Sequence, residues 1–429
     1  MLPLFLFICP ISHCLLNSNV KFVIIVILQK GTKVVTPLFD ALVKYKGLKA
    51  RFHMPSHGGK KNFPADEGLF ASAPFDVTEL SFSDNLSCSS GVILEAENLA
   101  AKAYGADRTL FFAAGATDAL RTALLCVKKE RIAFLGDMHK SFHAAQRLFS
   151  LDVTDISSID QIKGFGAVCV TSPDYYGRVK DVKAIAERCR EAGAALIVDE
   201  AHGAHFAFSP LLPESAVGVA DFVIHGAHKT LPVYTGGAML HVKEKFYQKA
   251  REMRREAIGT SPSYLVMASL DYARGLFEKE GKTLYAALKE KIDEVKRKYP
   301  AVETLANDDF TRVVFLKKGG GYALNVALEK TGVFVEAADA DRVVLIVTPF
   351  NVEWLETAFR IAAECKEVNP KFADISDIIG KVSAYDVGIY PPGVPLVKAG
   401  EIFSKEKTAL LQANLDRLFG TVDGKIVTK

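Results

Sequence analysis

Six short runs rich in β-branched and aromatic residues constrain this chain more than any other feature: Thr109–Ala113, Arg131–Gly136, Ala167–Thr171, Ala194–Val198, Phe222–Ile224 and Ala238–Val242. They are apolar along their length, and helix-patterned segments such as Asp118–Lys129 and Asp181–Glu191 separate them. A strand apolar on both sides must be covered on both faces, and strands joined through helices pair in parallel. The pattern predicts an α/β core around a mostly parallel sheet. From Ser261 to Tyr299 it changes to a long helical stretch, Val266–Leu276 followed by the amphipathic Leu288–Lys298, which Pro300 stops. Residues 301–370 read as a smaller α+β unit: strand Thr311–Phe315, helix Tyr322–Lys330, strand Val343–Val347 and helix Val352–Cys365. The tail carries the proline-rich, extended Tyr390–Pro395 and a final charged helix, Ser404–Leu418.

Charge narrows the function classes. Lys and Arg (53) nearly balance Asp and Glu (50), so the net +3 gives no basic field arguing for nucleic acid or an anionic membrane. Mean hydropathy is +0.15, and roughly three quarters of that excess comes from the first thirty residues. That stretch has no acidic residue and two apolar runs broken by Asn17, Ser18, Asn19 and Lys21. Neither run reaches the roughly 20 residues of a membrane span, and the segment lacks a signal peptide's basic start and small-residue cleavage site. The expected reading is upstream sequence outside the native protein, with an atypical anchor or a buried arm as alternatives. No membrane association is expected, and the expected location is cytoplasmic. Seven cysteines without a CxxC pair read as reduced, buried thiols.

Six of the ten histidines fall in three short clusters, His139/His143, His202/His205 and His225/His228. Imidazoles invite a metal, but there is no HExxH, and Asp199 and Glu200 stand at the C-terminal end of a buried strand, where α/β proteins bind organic ligands. No metal is expected. A pyridoxal phosphate site is the simpler reading. It needs a lysine, a carboxylate for the pyridine nitrogen, a group stacked on the ring, and backbone donors for the phosphate. The run Phe111–Thr117 is a strand entering a small-residue turn and a helix, whose amides with the Thr117 hydroxyl could hold phosphate. In Ile197–His202, Asp199 is a strand-end acid that needs a cation, and a pyridinium is one. Lys229 follows about 30 residues later, after the next strand, within Gly226-Ala227-His228-Lys229-Thr230.

With these residues in view, the sequence resembles the bacterial ornithine/lysine/arginine decarboxylase family in its short form. The matching stretches include Thr36–Leu42, Phe52–Gly59, Asp76–Leu80, Ala103–Ala106, His139–Ser141, Pro173–Gly177, Asp199–His205, His228–Leu231 and Tyr390–Gly393. The resemblance implies an aspartate-aminotransferase-like fold, fold type I: an α/β large domain and a smaller α+β C-terminal domain. The apolar 1–30 has no counterpart in the family and is expected as a separate extension; the resemblance implies an arm over 31–70, a cofactor-binding domain over 71–295, and a small domain with tail over 296–429. Carried over, it makes Lys229 the residue that bonds the pyridoxal phosphate aldehyde, Asp199 the pyridinium partner and His139 the ring-stacking residue. His202 stands beside the cofactor's phenolic oxygen or the substrate, and His228 next to Lys229. Gly115, Ala116 and Thr117 form the phosphate cradle.

The sequence also departs from the family. Gly226 replaces a usual serine whose hydroxyl contacts the phosphate, and Ala114-Gly115-Ala116-Thr117 replaces Asn-Gly-Ser/Thr-Thr. Each lost contact is worth about 1 kcal/mol. Ser261 and Ser263 could compensate from a partner subunit, or simply cap a helix. Asp84-Asn85-Leu86-Ser87 lacks the family's histidine there. The implied reaction is decarboxylation of lysine, ornithine or arginine, with Glu336 and Glu79 as candidates for the substrate's distal charge. The implied assembly is a homodimer with the site at its interface. Three other readings stay open: an aminotransferase or lyase using Arg342 for the α-carboxylate, a catalytically idle homologue, and a metal hydrolase built on the histidine clusters.

Overall fold

The computed structural model describes residues 34–429 except Lys49, Ala65, Asp66, Ala340, 366–370, 390–394, 416–417, 423–424 and Lys429. The apolar N-terminal extension and most of the proline-rich segment therefore lie outside the described residues. Two compact units are present, one running up to Lys291 and including Thr348–Glu353, the other comprising Ile292–Val347 and the residues from Trp354 onward.

The first unit is built on a seven-stranded sheet: β1 (Arg108–Phe112), β2 (Ile132–Leu135), β3 (Val153–Ile156), β4 (Ala167–Thr171), β5 (Ala195–Asp199), β6 (Phe222–His225) and β7 (Ala238–Val242). The order is β1-β7-β6-β5-β4-β2-β3. Neighbours from β6 to β3 pair in parallel, and β7 runs antiparallel to both β6 and β1. Helices α1 (Pro37–Tyr45), α2 (Val92–Tyr104), α3 (Ala116–Cys126), α4 (Lys140–Phe149), α5 (Val182–Ala192) and α6 (Glu244–Ala257) accompany it. Side chains alternate across a strand, and the burial follows. Leu110, Ile197, Ile224 and Leu240 pack on one face with Leu120 of α3, Phe142 of α4 and Tyr247 of α6. Leu196, Val198 and Val223 pack on the other with Ile185 and Cys189 of α5. β2, β4, β5 and β6 are largely apolar because each has two cores to fill.

The expected helical stretch after Ser261 is one helix, α7 (Tyr264–Lys298), 35 residues long. Its glycines serve close packing instead of interrupting it. A Cβ at Gly281 would stand 2.8 Å from the Phe208 Cβ, and one at Gly275 3.0 Å from Thr36 Cγ2. Asp271 on α7 anchors α1: its Oδ2 accepts from the amides of Leu38 (3.0 Å) and Phe39 (3.3 Å), donors at the start of a helix that otherwise go unsatisfied.

The second unit has a three-stranded antiparallel sheet ordered β8 (Arg312–Leu316), β10 (Arg342–Ile346), β9 (Ala337–Ala338), with helices α8 (Gly321–Glu329) and α9 (Leu355–Glu364). The final helix is shorter than the sequence suggests: α10 covers Lys405–Gln412, capped by Ser404, whose Oγ accepts from the Lys407 amide at 3.2 Å. It stops where Asn414 Nδ2 donates to the Leu410 carbonyl (3.0 Å), and Leu418–Phe419 is extended and pairs with Gly388 and Ile389. Among the described residues no helix is long and apolar enough to cross a membrane, and no disulfide joins Cys88, Cys126, Cys169 or Cys189.

Candidate active site

The C-terminal ends of β1, β2, β4, β5 and β6 meet the start of β7 at one edge of the sheet, where such folds bind ligands. β1 leads into the turn before α3. Gly115 takes φ +99°, a conformation that favours glycine, and its N–H donates to the Gly236 carbonyl at 2.7 Å. No side chain caps α3 at Gly115, and within its first turn the Asp118 amide donates to the Gly115 carbonyl at 3.2 Å. Gly236, at φ +100°, must also be glycine, because a Cβ there would lie 2.7 Å from the Ala113 carbonyl. Asp118 is buried in the same turn, 3.2 Å from Arg121. Burial pushes its carboxyl up and the guanidinium opposes this.

β5 ends on Asp199, buried on the α3 side of the sheet by the same alternation that places Ile197 there. Its Oδ1 accepts from the Ala201 amide at 3.1 Å. Burial raises its pKa, opposed first by the charge of Lys229, then by the Ala201 bond and His139. β6 leads into a single turn of 3-10 helix, Ala227–Lys229, which begins where the Gly226 N–H donates to the Ala201 carbonyl (3.1 Å). Lys229 Nζ lies 3.0 Å from His202 Nε2. His228 Nδ1–H donates to the Gly237 carbonyl at 3.0 Å, which fixes the tautomer and leaves Nε2 as the basic nitrogen. Tyr175, from the loop after β4, sets its ring edge-on to His202 at 5.4 Å. From the β2 side comes His139, the exposed N-cap of α4, its Nδ1 accepting from the Ser141 amide at 3.2 Å. Desolvation and then the Lys229 charge lower its pKa, while Asp199 raises it.

Lys229, His202, Asp199 and His139 thus share one electrostatic neighbourhood, with His228 one residue away and the start of α3 at the same edge. Other sequence candidates stand on other elements. Glu79 accepts from the Thr78 hydroxyl and acts on the buried Tyr264. Glu336 is exposed in the second unit, its amide donating to the Val344 carbonyl at 3.0 Å, and Arg342 begins β10 there. Ser263 accepts from the Val266 amide at 3.4 Å as a helix cap. Among the described residues no group of three or more His, Cys, Asp or Glu side chains could hold a metal ion. Sequence reasoning missed Tyr175 and the carbonyls of Gly236 and Gly237. The Gly236-Gly237 pair beginning a strand was the available signal for the latter.

The chain matches the models of the Orn/Lys/Arg decarboxylase major domain over residues 36–156 and 152–315 and of that family's C-terminal domain over 357–415. It is 28% identical to an arginine decarboxylase of Bacillus anthracis, over 89% of this chain and 93% of that one. Among solved structures it is similar in fold to lysine decarboxylase A from Pseudomonas aeruginosa, with a TM-score of 0.66 at 17% identity over 92% of this chain and 80% of that one. It is also similar to a structure of SPT with PLP, with a TM-score of 0.51 at 18% identity over 63% and 76%.

Proposed function

The chain belongs to the Orn/Lys/Arg decarboxylase family, and on that premise we propose that it removes the α-carboxylate of lysine, ornithine or arginine using pyridoxal phosphate. The residues present fit that cofactor: an amine, a buried carboxylate on the neighbouring strand end, and an uncapped helix start at the same sheet edge. Gly226 adds to the fit, since a Cβ there would press on the Lys229 stem, 3.1 Å from Cδ and 3.3 Å from Cε. When bound, pyridoxal phosphate supplies an aldehyde that takes up an amine and a ring that accepts the electron pair left as carbon dioxide departs.

The protein's part is to bind, orient and move protons. The Ala116 and Thr117 amides and the Thr117 hydroxyl would hold the phosphate at the positive end of α3. Asp199 would pair with the pyridine nitrogen and keep it protonated, a buried anion satisfied by a cation. His139, whose pKa is lowered by desolvation and by the Lys229 charge, would be the ring-stacking residue. His202 Nε2, 3.0 Å from Lys229 Nζ, would hold or take up that amine's proton. His228 Nε2 or Lys229 would return a proton to the substrate's Cα. Glu336 and Glu79 are the acids proposed for the distal charge. The domain boundaries, a homodimer sharing the site, and a cytoplasmic location are parts of the same proposal.

The 3.0 Å approach of Lys229 to His202, beside buried Asp199, carries this reading. Carbon dioxide release is to be measured with each of the three amino acids, alongside borohydride trapping of the cofactor on the protein. Release with at least one of them, and trapping that Lys229→Ala abolishes, is expected. Keto-acid formation without carbon dioxide would replace this reading with an aminotransferase.

A further inference from the structure

Alternation sends Thr109, His225 and His241 to the sheet face opposite Leu110, Ile224 and Leu240. Glu200, one residue past Asp199, reaches the same underside. There the four side chains form a line crossing β5, β6, β7 and β1. Glu200 Oε2 is 2.7 Å from His225 Nε2, His225 Nδ1 is 2.9 Å from His241 Nε2, and His241 Nδ1 is 2.8 Å from Thr109 Oγ1. All four are buried. Glu200 Oε1 accepts from the Ala216 amide at 2.8 Å, and Oε2 also accepts from the Ser215 hydroxyl. Tyr104 of α2 packs on both imidazoles, with centroids at 5.2 and 4.7 Å, and donates to the Ala204 carbonyl at 2.9 Å. The other charged or titratable groups acting here are His205, which follows β5, and Arg274 of α7, through Tyr104.

Two neutral imidazoles have one N–H each, so the line has two complete donor orders. With Glu200 ionised, Thr109 donates to His241, His241 Nε2–H to His225, and His225 Nε2–H to Glu200. With a proton on Glu200 Oε2, every bond reverses and Thr109 accepts. We propose that Glu200, His225, His241 and Thr109 are positioning residues for the site on the opposite face. They lock the β5 end carrying Asp199 and His202 to the β6 end carrying Lys229, with a donor order set by the charge on Glu200. Burial keeps both orders in reach, pushing Glu200 up to about 8 and His225 down to about 3, so the imidazoles stay neutral while the carboxyl titrates. Only the consequence for turnover rests on the decarboxylase reading; the donor order does not.

The test is nitrogen NMR of the full chain labelled with ¹⁵N-histidine, across neutral to alkaline pH. His225 and His241 are expected to pass together from Nδ1–H to Nε2–H as pH rises. In Glu200→Gln the Ala216 amide holds the side-chain carbonyl, so the amide NH₂ faces His225 and both rings stay Nδ1–H at every pH. Thr109→Val removes the acceptor at the far end and biases both toward Nε2–H, an opposite shift that serves if Glu200→Gln does not fold. Rings that change independently, or variants with wild-type tautomers, overturn the line. For the positioning role, labelling of Lys229 by an amine reagent, read by peptide mass, is expected to change at least about threefold in Glu200→Gln. kcat should fall about tenfold with KM within about twofold, as small misplacements of reacting groups do. Unchanged Lys229 labelling overturns positioning even if the tautomers follow the scheme. A wild-type protein without decarboxylase activity would instead count against the proposed function, since neither NMR nor labelling depends on it.

Discussion

Restoring a serine at Gly226 should not simply return a missing hydroxyl. A Cβ built there stands 2.9 Å from the Ala201 carbonyl oxygen, 3.1 Å from Lys229 Cδ and 3.3 Å from Cε. Carbon contacts are most favourable at roughly 3.5–4.0 Å, so the carbonyl is too close by about half an ångström. It cannot retreat cheaply, because it accepts the N–H of residue 226 itself at 3.1 Å. The lysine stem is flexible, but its amine is held at His202. Overpacking of this kind costs about 1–3 kcal/mol, and losing the 226–201 bond would add about 1 kcal/mol. The expected destabilisation for Gly226→Ala is therefore about 2–4 kcal/mol, read from urea unfolding of the cofactor-free protein. Gly226→Ser should lose a similar amount and bind pyridoxal phosphate no more tightly than the parent, measured by titrating the visible band of the bound cofactor. If both variants unfold within about 0.5 kcal/mol of the parent, the range of an uneventful surface change, and the serine variant binds more tightly, the steric argument is wrong.

Two further outcomes follow from buried charge. Asp271→Ala removes the cap on α1 and strips Arg274 of its 2.5 Å partner while leaving Glu278 at 3.1 Å. Breaking such a pair costs about 3–5 kcal/mol, with the low end expected because one partner remains, and urea unfolding against the parent checks it. The pH dependence of stability has two opposed parts. Depressed from 6.5 to about 3, His225 contributes stability that is present above pH 6.5 and lost as pH falls through about 3. Raised from 4.5 to about 8, Glu200 contributes stability that is present below pH 4.5 and lost as pH rises through about 8. The two offset each other between pH 4.5 and 6.5, so urea midpoints should decline from 6.5 toward 8, and Glu200→Gln should flatten that decline.

The core strands were legible because they are buried on both faces and largely apolar. β3 was not: Val153-Thr154-Asp155-Ile156 is an edge strand with Thr154 and Asp155 exposed, and polar side chains are what an unpaired edge carries. The long helical stretch of α7 was legible from its periodicity, and Gly275 and Gly281 sit within it because each leaves room for a neighbouring side chain. The chemistry-bearing residues at the ends of β1, β5 and β6 were legible from order along the chain. What that order obscured was direction. His225 and His228 are three residues apart, yet one faces the underside and the other bonds the Gly237 carbonyl at the site edge. Asp199 and Glu200 divide in the same way. Grouping histidines by sequence distance mixed two networks that period-two alternation, combined with strand order, keeps apart.

The reversed direction of β7 limits how this scaffold could be recut. The loops after β2 and β4 each bring one wall to the site, so grafting new sequence into either would alter that wall alone. The turn entering β7 instead fastens two walls at once, with the Gly236 carbonyl on the Gly115 amide and the Gly237 carbonyl on His228. An insertion between Tyr234 and Gly236 would displace the turn before α3 and the lysine-bearing loop in one stroke. Libraries aimed at new substrates are better spent on the Tyr175 loop, with this turn kept at its present length.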